Sequence, residues 1–161
     1  MLQKKRFTKD EALPKIRHYC SYQERCHSEV KEKLYGFGLF KSEAEEILSN
    51  LIEDNYLNEE RFAIQFAGGK FRMNDWGRKK IAYALQQKNV STYCINKGLK
   101  EIDTADYQHK LEKLARTKWD VLKNEQYLNR QAKTYAYLLQ KGYEHKEIAP
   151  VINELKAKPA K

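Results

Sequence analysis

The chain has 161 residues, a net charge of +9 at pH 7, 33% charged and 41% apolar residues, and only 7 glycines and 3 prolines. This length suits one domain or several small units that share a core, and it argues against two full domains. The balance favours amphipathic helices over a β-sandwich, whose frequent tight turns need more glycine and proline. The predicted fold class is therefore all-α.

Neither a membrane span nor a secretory signal is expected. The sequence contains no run of about 18 apolar residues, and its basic start, MLQKKRFTKDEALPKI, is not followed by an apolar segment. Three cysteines, Cys20, Cys26 and Cys94, are an odd number, which fits reduced thiols better than a disulfide framework. We therefore expect a cytoplasmic protein with no membrane partner.

The chain repeats itself three times. Leu34, Leu85 and Leu138 align at separations of 51 and 53 residues, and apolar residues recur in phase around them. The aligned sets are Val30, Ile81 and Thr134; Leu39, Val90 and Tyr143; Ala44, Ile95 and Ile148; Leu48, Leu99 and Ile152; and Leu51, Ile102 and Leu155. Their spacing within each copy is helical, so they predict the buried faces of two consecutive helices.

Each copy also has room for a preceding helix, over 8–22, 58–73 and 104–119. The predicted architecture is three tandem three-helix repeats that stack into an elongated, curved array. The repeats span 1–57, with an N-terminal extension, then 58–102, which is basic, and 103–161, which has a basic tail. No apolar stripe is left over, which favours a monomer.

The joints between helices carry the usual end signals. Residues that tolerate a left-handed backbone are expected to end helices, and side chains that accept hydrogen bonds are expected to cap the next ones. The first group is Gly36, Gly38, Lys88-Asn89 and Gly142, and the second is Ser42, Ser91 and Asp103.

The acidic stretch EDNYLNEERFAIQF, residues 53–66, also fits a helix-to-helix joint. Asn55 suits the end of one helix and Asn58 suits the cap of the next. Glu59 and Glu60 then fall in the first turn, where a carboxylate meets the positive end of the helix dipole. The residues favour this structural interpretation over a recognition role.

No catalytic set can be assembled. Phosphate-binding, zinc-protease and hydrolase motifs are all missing from the sequence, so we expect a non-enzyme without a cofactor. His18, Cys20, Cys26 and His27 have metal-ligand side chains, but their spacing is poor for a zinc site. No metal site is predicted; Cys20 is expected in the core and the histidines near the surface.

The segment from residue 70 to 100 contains eight lysines and arginines against one acid, Asp75. Three of the cations follow Gly77 at a predicted helix start, where backbone N–H groups and the dipole also favour an anion. The candidate residues for binding phosphate groups of DNA or carboxylates of a protein partner are Lys70, Arg72, Arg78, Lys79, Lys80 and Lys88. Trp76 is a candidate stacking residue, whereas Tyr83 and Tyr93 are expected in the core. Gly68-Gly69 is expected to permit close helix packing.

The sequence resembles the RecX family of recombinase regulators. LNEERFA at 57–63 and GRKKIAYALQQKNV at 77–90 fill the places of two family motifs, and SYQERCHSEVKEKLYGFG resembles the pattern of the first repeat. The matching signature residues are Arg25, Glu59, Glu60, Arg61, Phe62 and Gly77.

The resemblance implies a non-enzymatic, mainly negative regulator of the RecA recombinase in DNA recombination and repair. Such a protein binds the RecA–DNA filament, contacts single- and double-stranded DNA directly or through the filament, and restrains ATP hydrolysis and strand exchange. Two alternatives stay open on charge and helices alone. One is a general DNA-binding repeat protein that acts without RecA, and the other is a scaffold for an unrelated acidic partner.

Overall fold

The computed structural model describes residues 6–157, and every regular element in that range is an α-helix. The all-α prediction is confirmed for this part of the chain. The first helix of each repeat begins and ends within two residues of its predicted range. The helices are α1 (Lys9–Tyr22), α2 (His27–Gly36), α3 (Lys41–Glu53), α4 (Glu59–Asn74), α5 (Arg78–Gln87), α6 (Thr92–Lys100), α7 (Thr104–Val121), α8 (Tyr127–Lys141) and α9 (His145–Ala157).

None of the helices between residues 6 and 157 combines the length and the apolar character that crossing a membrane requires. The outer parts of the predicted N-terminal extension and basic tail, residues 1–5 and 158–161, lie outside the described residues.

The chain divides into two compact units. The first contains the residues up to Phe66 together with Leu85–Gly98, and the second contains Ala67–Ala84 together with Leu99 onwards. Helices α4, α5 and α6 therefore each supply residues to both units. The repeat boundaries predicted after residues 57 and 102 fall in the joints before α4 and α7, and the division into three repeats stays a prediction.

In the first unit, α1, α2 and α3 pack on one another around an aliphatic core. Ile16, Val30 and Leu34 are fully buried there, and Phe7 and Phe37 meet edge to face at its margin with ring centres 5.4 Å apart. In the same unit, a Cβ added to Gly98 of α6 would lie 2.6 Å from the carbonyl oxygen of Ala63 of α4. The two backbones therefore touch, and glycine is required at this contact.

In the second unit, α7, α8 and α9 pack on one another, and an aromatic row extends their core. The ring of Tyr107 lies 5.8 Å from that of Phe71 and 5.1 Å from that of Tyr143. The fully buried Tyr143 donates its hydroxyl proton to the carbonyl of Asp75 (3.3 Å), and burial raises its pKa. This row fixes the end of α4 against α7 and the start of α9.

The repeat alignment matches the observed burial. Sixteen of the 18 aligned residues are buried, and the other two, Leu99 and Leu155, are partly buried. Thr134, which takes the place of Val30 and Ile81, is also fully buried, and its hydroxyl donates to the carbonyl of Arg130 (2.8 Å). A polar residue is accommodated there because its own helix satisfies the hydroxyl.

Most of the predicted end signals are confirmed. Gly38, Asn89 and Gly142 adopt φ values of 88°, 61° and 104°, in the left-handed region. The Asp103 carboxylate accepts from the N–H of Asp106 at 2.9 Å, and the Ser91 hydroxyl accepts from that of Cys94 at 3.2 Å.

Two local predictions are wrong. Ser42 does not cap α3, because the helix already begins at Lys41. Its N-cap is Phe40, whose N–H donates to the Glu43 carboxylate at 2.9 Å. The pair Gly68-Gly69 does not mark close helix packing: an added Cβ would meet only the Arg72 side chain at the first and nothing within 4 Å at the second.

Candidate functional site

The joint between α4 and α5 carries a half-buried tryptophan with two lysines over it. Asp75 adopts a left-handed φ of 62°, and the N–H of Trp76 donates back to the carbonyl of Lys70 at 3.2 Å. The ammonium groups of Lys70 and Lys80 then lie 5.0 Å and 4.8 Å from the centre of the indole ring. We call Lys70, Trp76 and Lys80 the Trp76 cluster. Its geometry is that of a cation–π contact with two cations on one ring.

Asp75, the single acidic residue between residues 70 and 100, forms its ion pair within the protein. The carboxylate of Asp75 pairs with the Lys110 ammonium at 2.9 Å, and that ammonium also donates to the carbonyls of Phe71 and Arg72 at 3.2 Å. Lys141 donates to the carbonyl of Asn74 at 3.3 Å in the same way. The two lysines therefore cap the C-terminal end of α4, where the helix dipole favours cations.

The backbone donors at the start of α5 do not form the anion site that the sequence suggests. The N–H of Gly77 donates to the carbonyl of Lys141 at 2.7 Å, and that of Lys79 donates to the carbonyl of Gly142 at 3.0 Å. The N–H of Arg78 donates to the hydroxyl of Tyr107 at 3.0 Å. Protein acceptors therefore satisfy these donors, and anion binding here depends on side chains alone.

Arg78 also faces the protein. Its guanidinium lies 3.9 Å from the centre of the Tyr107 ring and 3.6 Å from the carboxylate of Glu147. Burial raises the pKa of Tyr107 to about 12, so this phenol is neutral at physiological pH. Of the three cations at the start of α5, Arg78 is therefore opposed by a carboxylate, whereas Lys79 is exposed beside it.

The remaining candidate cations, Arg72 and Lys88, have other contacts. The Arg72 side chain runs back along α4, close enough to Gly68 that an added Cβ would be 2.7 Å from its guanidinium. Lys88 belongs to the first unit, where its ammonium lies 4.0 Å from the Glu29 carboxylate and 6.0 Å from the centre of the Phe66 ring. Of the six predicted residues, Lys70 and Lys80 are brought together at one aromatic ring, that of Trp76.

The acidic family signature builds the joint before α4. Asn58 accepts from the N–H of Arg61 at 2.9 Å, as predicted for the cap. The Arg61 guanidinium binds the Glu24 carboxylate and both the side-chain and backbone oxygens of Asn55, each of the latter at 3.2 Å. Asn55 itself has a φ of 62°. The arginine therefore fastens the end of α3 and the loop after α1 to the first turn of α4.

The other signature residues also contact the fold. The Glu59 carboxylate lies 2.7 Å from the imidazole of His27, and Phe62 is buried with its ring centre 5.6 Å from that of Phe66. Arg25 donates to the carbonyl of Tyr19 at 3.1 Å and lies 3.7 Å above its ring. Arg130 repeats this arrangement on Trp119 in the second unit, at 2.8 Å and 4.0 Å.

The sequence interpretation missed two exposed tyrosines. Tyr83 and Tyr93, which were expected in the core, are each 63% exposed, and Lys97 lies 5.4 Å from the centre of the Tyr93 ring. Helical periodicity could have predicted this exposure. Each tyrosine is two residues from a buried isoleucine, at positions 81 and 95, and so points away from the core.

Comparison with known proteins assigns the family. The model of the second three-helix domain of RecX matches residues 58–99, and that of the third three-helix domain matches residues 105–152. Regulatory protein RecX of Clostridium perfringens strain 13 is 34% identical over 124 residues, which are 75% of this chain and 57% of that protein. The chain thus spans little more than half the length of that relative.

Two further relatives match over nearly their whole length. Regulatory protein RecX of Prosthecochloris aestuarii is 28% identical over 144 residues, which cover 89% of this chain and 93% of that protein. The crystal structure of RecX from Lactobacillus salivarius superposes with a TM-score of 0.84 at 25% identity, over 93% of this chain and 97% of that one. The fold and the two matched three-helix domains lead to one assignment: the chain belongs to the RecX family of regulatory proteins.

Proposed function

We propose that this chain is a non-enzymatic, mainly negative regulator of the RecA recombinase. It binds the RecA–DNA filament and restrains ATP hydrolysis and strand exchange in recombination and DNA repair. Family membership supports the regulatory role. The observation that carries the proposal is the Trp76 cluster, in which two lysines lie over one indole ring, together with the exposed Lys79, because a cationic surface suits a filament of nucleic acid and protein.

The charges of Lys79 and Lys80 are available to a ligand. Asp75 is engaged by Lys110, and among residues 6–157 no carboxylate forms an ion pair with Lys79 or Lys80. An ammonium group above an indole ring keeps its charge and still has donors directed outward. Phosphate oxygens or carboxylates of a partner can therefore bind Lys80 without displacing it from Trp76.

Regulation follows if the bound protein favours one state of the filament over another. A ligand shifts an equilibrium only by its difference in affinity between the two states. Contacts that span neighbouring RecA subunits provide this difference, because ATP binding and hydrolysis change how those subunits pack. Each contact of a multivalent ligand raises the effective concentration for the next, so modest cationic contacts suffice for binding.

The alternative function is a general DNA-binding protein that acts without RecA. The exposed Tyr93, with Lys97 over its ring, favours it, because aromatic rings beside lysines are typical of surfaces on which bases stack. It predicts strong binding to naked DNA that falls steeply with salt, since phosphate contacts release counterions. A filament regulator instead binds the RecA–DNA filament in preference to the bare strand.

The test compares two triple variants with equal loss of charge. Lys70→Gln, Lys79→Gln and Lys80→Gln alter the proposed surface, whereas Arg116→Gln, Lys123→Gln and Lys156→Gln remove the same charge at exposed positions elsewhere in the second unit. Co-sedimentation with RecA filaments on single-stranded DNA is measured beside binding to the bare strand at two salt concentrations. We expect only the first variant to bind filaments weakly while its thermal unfolding is unchanged; equal binding by both variants would contradict the proposed surface.

A further inference from the structure

A second surface, in the first unit, is open to a partner. Between α1 and α2 lies a recess of about 670 Å³ whose lining includes Tyr19, Tyr22, Arg25, Lys33 and Phe37. Tyr22 at its edge is 77% exposed. The recess belongs to the first unit, whereas the Trp76 cluster belongs to the second.

The recess has a cationic margin over an aromatic floor. The ammonium of Lys33 lies 5.3 Å from the centre of the Tyr19 ring and 5.8 Å from that of Phe37. The guanidinium of Arg25 covers the Tyr19 ring at 3.7 Å, and the lining also includes the exposed Lys15. No carboxylate is part of the lining, and within residues 6–157 none forms an ion pair with these three cations.

This concentration of positive charge is not a consequence of overall composition. Residues 1–57 contain ten basic and ten acidic residues, so the segment as a whole is neutral. Seven of its ten acids are engaged elsewhere. Glu11 caps α1, and the other pairs are Glu24 with Arg61, Glu29 with Lys88, Glu43 with Arg6, Glu45 with Lys41, Glu46 with Lys9 and Asp54 with Arg17. The fold therefore separates the charges and leaves the recess positive.

From these observations we propose that the recess between α1 and α2 docks an acidic segment of a partner protein that carries an apolar or aromatic anchor. Carboxylates of the segment pair with Lys15, Arg25 and Lys33, and the anchor contacts the edges of the Tyr19 and Phe37 rings and does not need their faces. Cation and anion then form charge-assisted hydrogen bonds at the edge of a desolvated apolar contact. The inference goes beyond the proposed function and does not depend on it.

An acidic peptide fits this recess better than a nucleic acid. Stacking of bases requires accessible ring faces. Here the Tyr19 ring is covered by Arg25 and approached by Lys33, and Phe37 is contacted edge to face by Phe7. Carboxylates, in contrast, need only the outward donors of cations that already lie above aromatic rings.

The probe is a fluorescein-labelled, glutamate-rich peptide with one central tryptophan, titrated with the full chain in the absence of RecA and DNA. Matched probes replace the tryptophan by serine, replace glutamate by lysine, or are single-stranded oligothymidine. The test variant is Lys15→Gln with Lys33→Gln, and the control is Lys31→Gln with Lys41→Gln, which removes the same charge from the first unit. All four lysines are at least partly exposed, so folding should be retained.

We expect the acidic tryptophan peptide to bind, the serine and lysine probes to bind less, and the test variant to bind about tenfold more weakly than the control variant, because two charge-assisted contacts are lost. Equal binding by the two variants would overturn the proposal. Tighter binding of oligothymidine with the same dependence on Lys15 and Lys33 would also overturn it, and would make the recess a nucleic-acid site. Because no RecA is present, either result leaves the proposed function to its own test.

Discussion

Two glycines of the second unit, Gly69 and Gly77, lie in opposite environments. A Cβ added to Gly77 would lie 2.5 Å from the carbonyl carbon and oxygen of Gly142, whereas one added to Gly69 of α4 would meet nothing within 4 Å. Gly77→Ala must therefore push the backbones of two joints apart, and Gly69→Ala only removes backbone entropy from the unfolded chain.

We expect Gly77→Ala to lower the free energy of unfolding by about 2 kcal/mol or more, as overpacking does, and Gly69→Ala to raise it by about 0.5 to 1 kcal/mol, the helix-propensity difference. Urea unfolding of both variants checks this. A Gly77→Ala protein as stable as the wild type would show that the close approach of these backbones is not needed.

Arg61 is expected to contribute to the stability of the first unit. Its guanidinium binds Glu24 and Asn55, and loss of charged hydrogen bonds costs about 1.5 to 3 kcal/mol. Arg61→Gln should therefore lower the midpoint of urea unfolding. Glu60→Gln, at the neighbouring signature position in the first turn of α4, should change stability by less than about 0.5 kcal/mol. Equal effects of the two changes would remove Arg61 from its proposed role in folding.

Whether the role of a residue could be predicted from the sequence depends on how far along the chain its contact partners lie. The roles of Asn55 and Asn58 are local, because a helix end and a cap involve residues within one turn. Arg78 could not be placed, because Tyr107 and Glu147, which hold it, come from distant parts of the chain. Gly77 could be predicted as a signature residue at a helix start, but its contact with Gly142 could not, because that contact is likewise long-range.

Buried phenol and thiol groups on the helices make the stability of the fold sensitive to alkaline pH. Burial raises the pKa of Tyr107 on α7 to about 12 and that of the Cys20 thiol on α1 to about 11, and it also raises the pKa of Tyr143. Unfolded tyrosine and cysteine lose their protons near pH 10 and pH 9, while the folded groups retain theirs. The unfolded state then binds fewer protons, so stability falls as pH rises.

We therefore expect the free energy of unfolding to decrease from about pH 9 and to continue decreasing to about pH 12, the window between the unfolded and folded pKa values. Urea unfolding at a series of pH values measures the slope. Replacement of Tyr107 by Phe should make the slope between pH 10 and pH 12 shallower than in the wild type. A slope that is unchanged by this substitution would contradict the assignment to Tyr107.

The helices themselves were largely predictable, because periodicity and end signals are local. The first helices of the three repeats, α1, α4 and α7, begin and end within two residues of their predicted ranges, and Asp103 caps α7 as expected. The cap of α3 was misplaced because a glutamate reaches back to Phe40, an aromatic residue that no capping preference indicates. Tyr83 and Tyr93 were misplaced because residue type was given more weight than helical phase.

At the scale of the whole molecule, the repeat found in the sequence and the contacts in the structure give different divisions. The repeat alignment finds three copies because it detects buried positions, and 16 of its 18 positions are indeed buried. The two compact units instead share the helices of the middle repeat. Periodicity shows which helix faces are apolar, but it does not show which neighbouring helix each face packs against. The sequence therefore could not show which of the candidate cations lie on one surface.

We propose that this protein acts on the RecA filament and not on DNA alone. ATP hydrolysis by the cognate RecA on single-stranded DNA tests this when it is measured while the protein is titrated and its binding to the bare strand is followed in parallel. We expect inhibition at protein levels far too low to coat the DNA. Hydrolysis that stays unchanged until the DNA is saturated would contradict it and would indicate a general DNA-binding protein with the RecX fold.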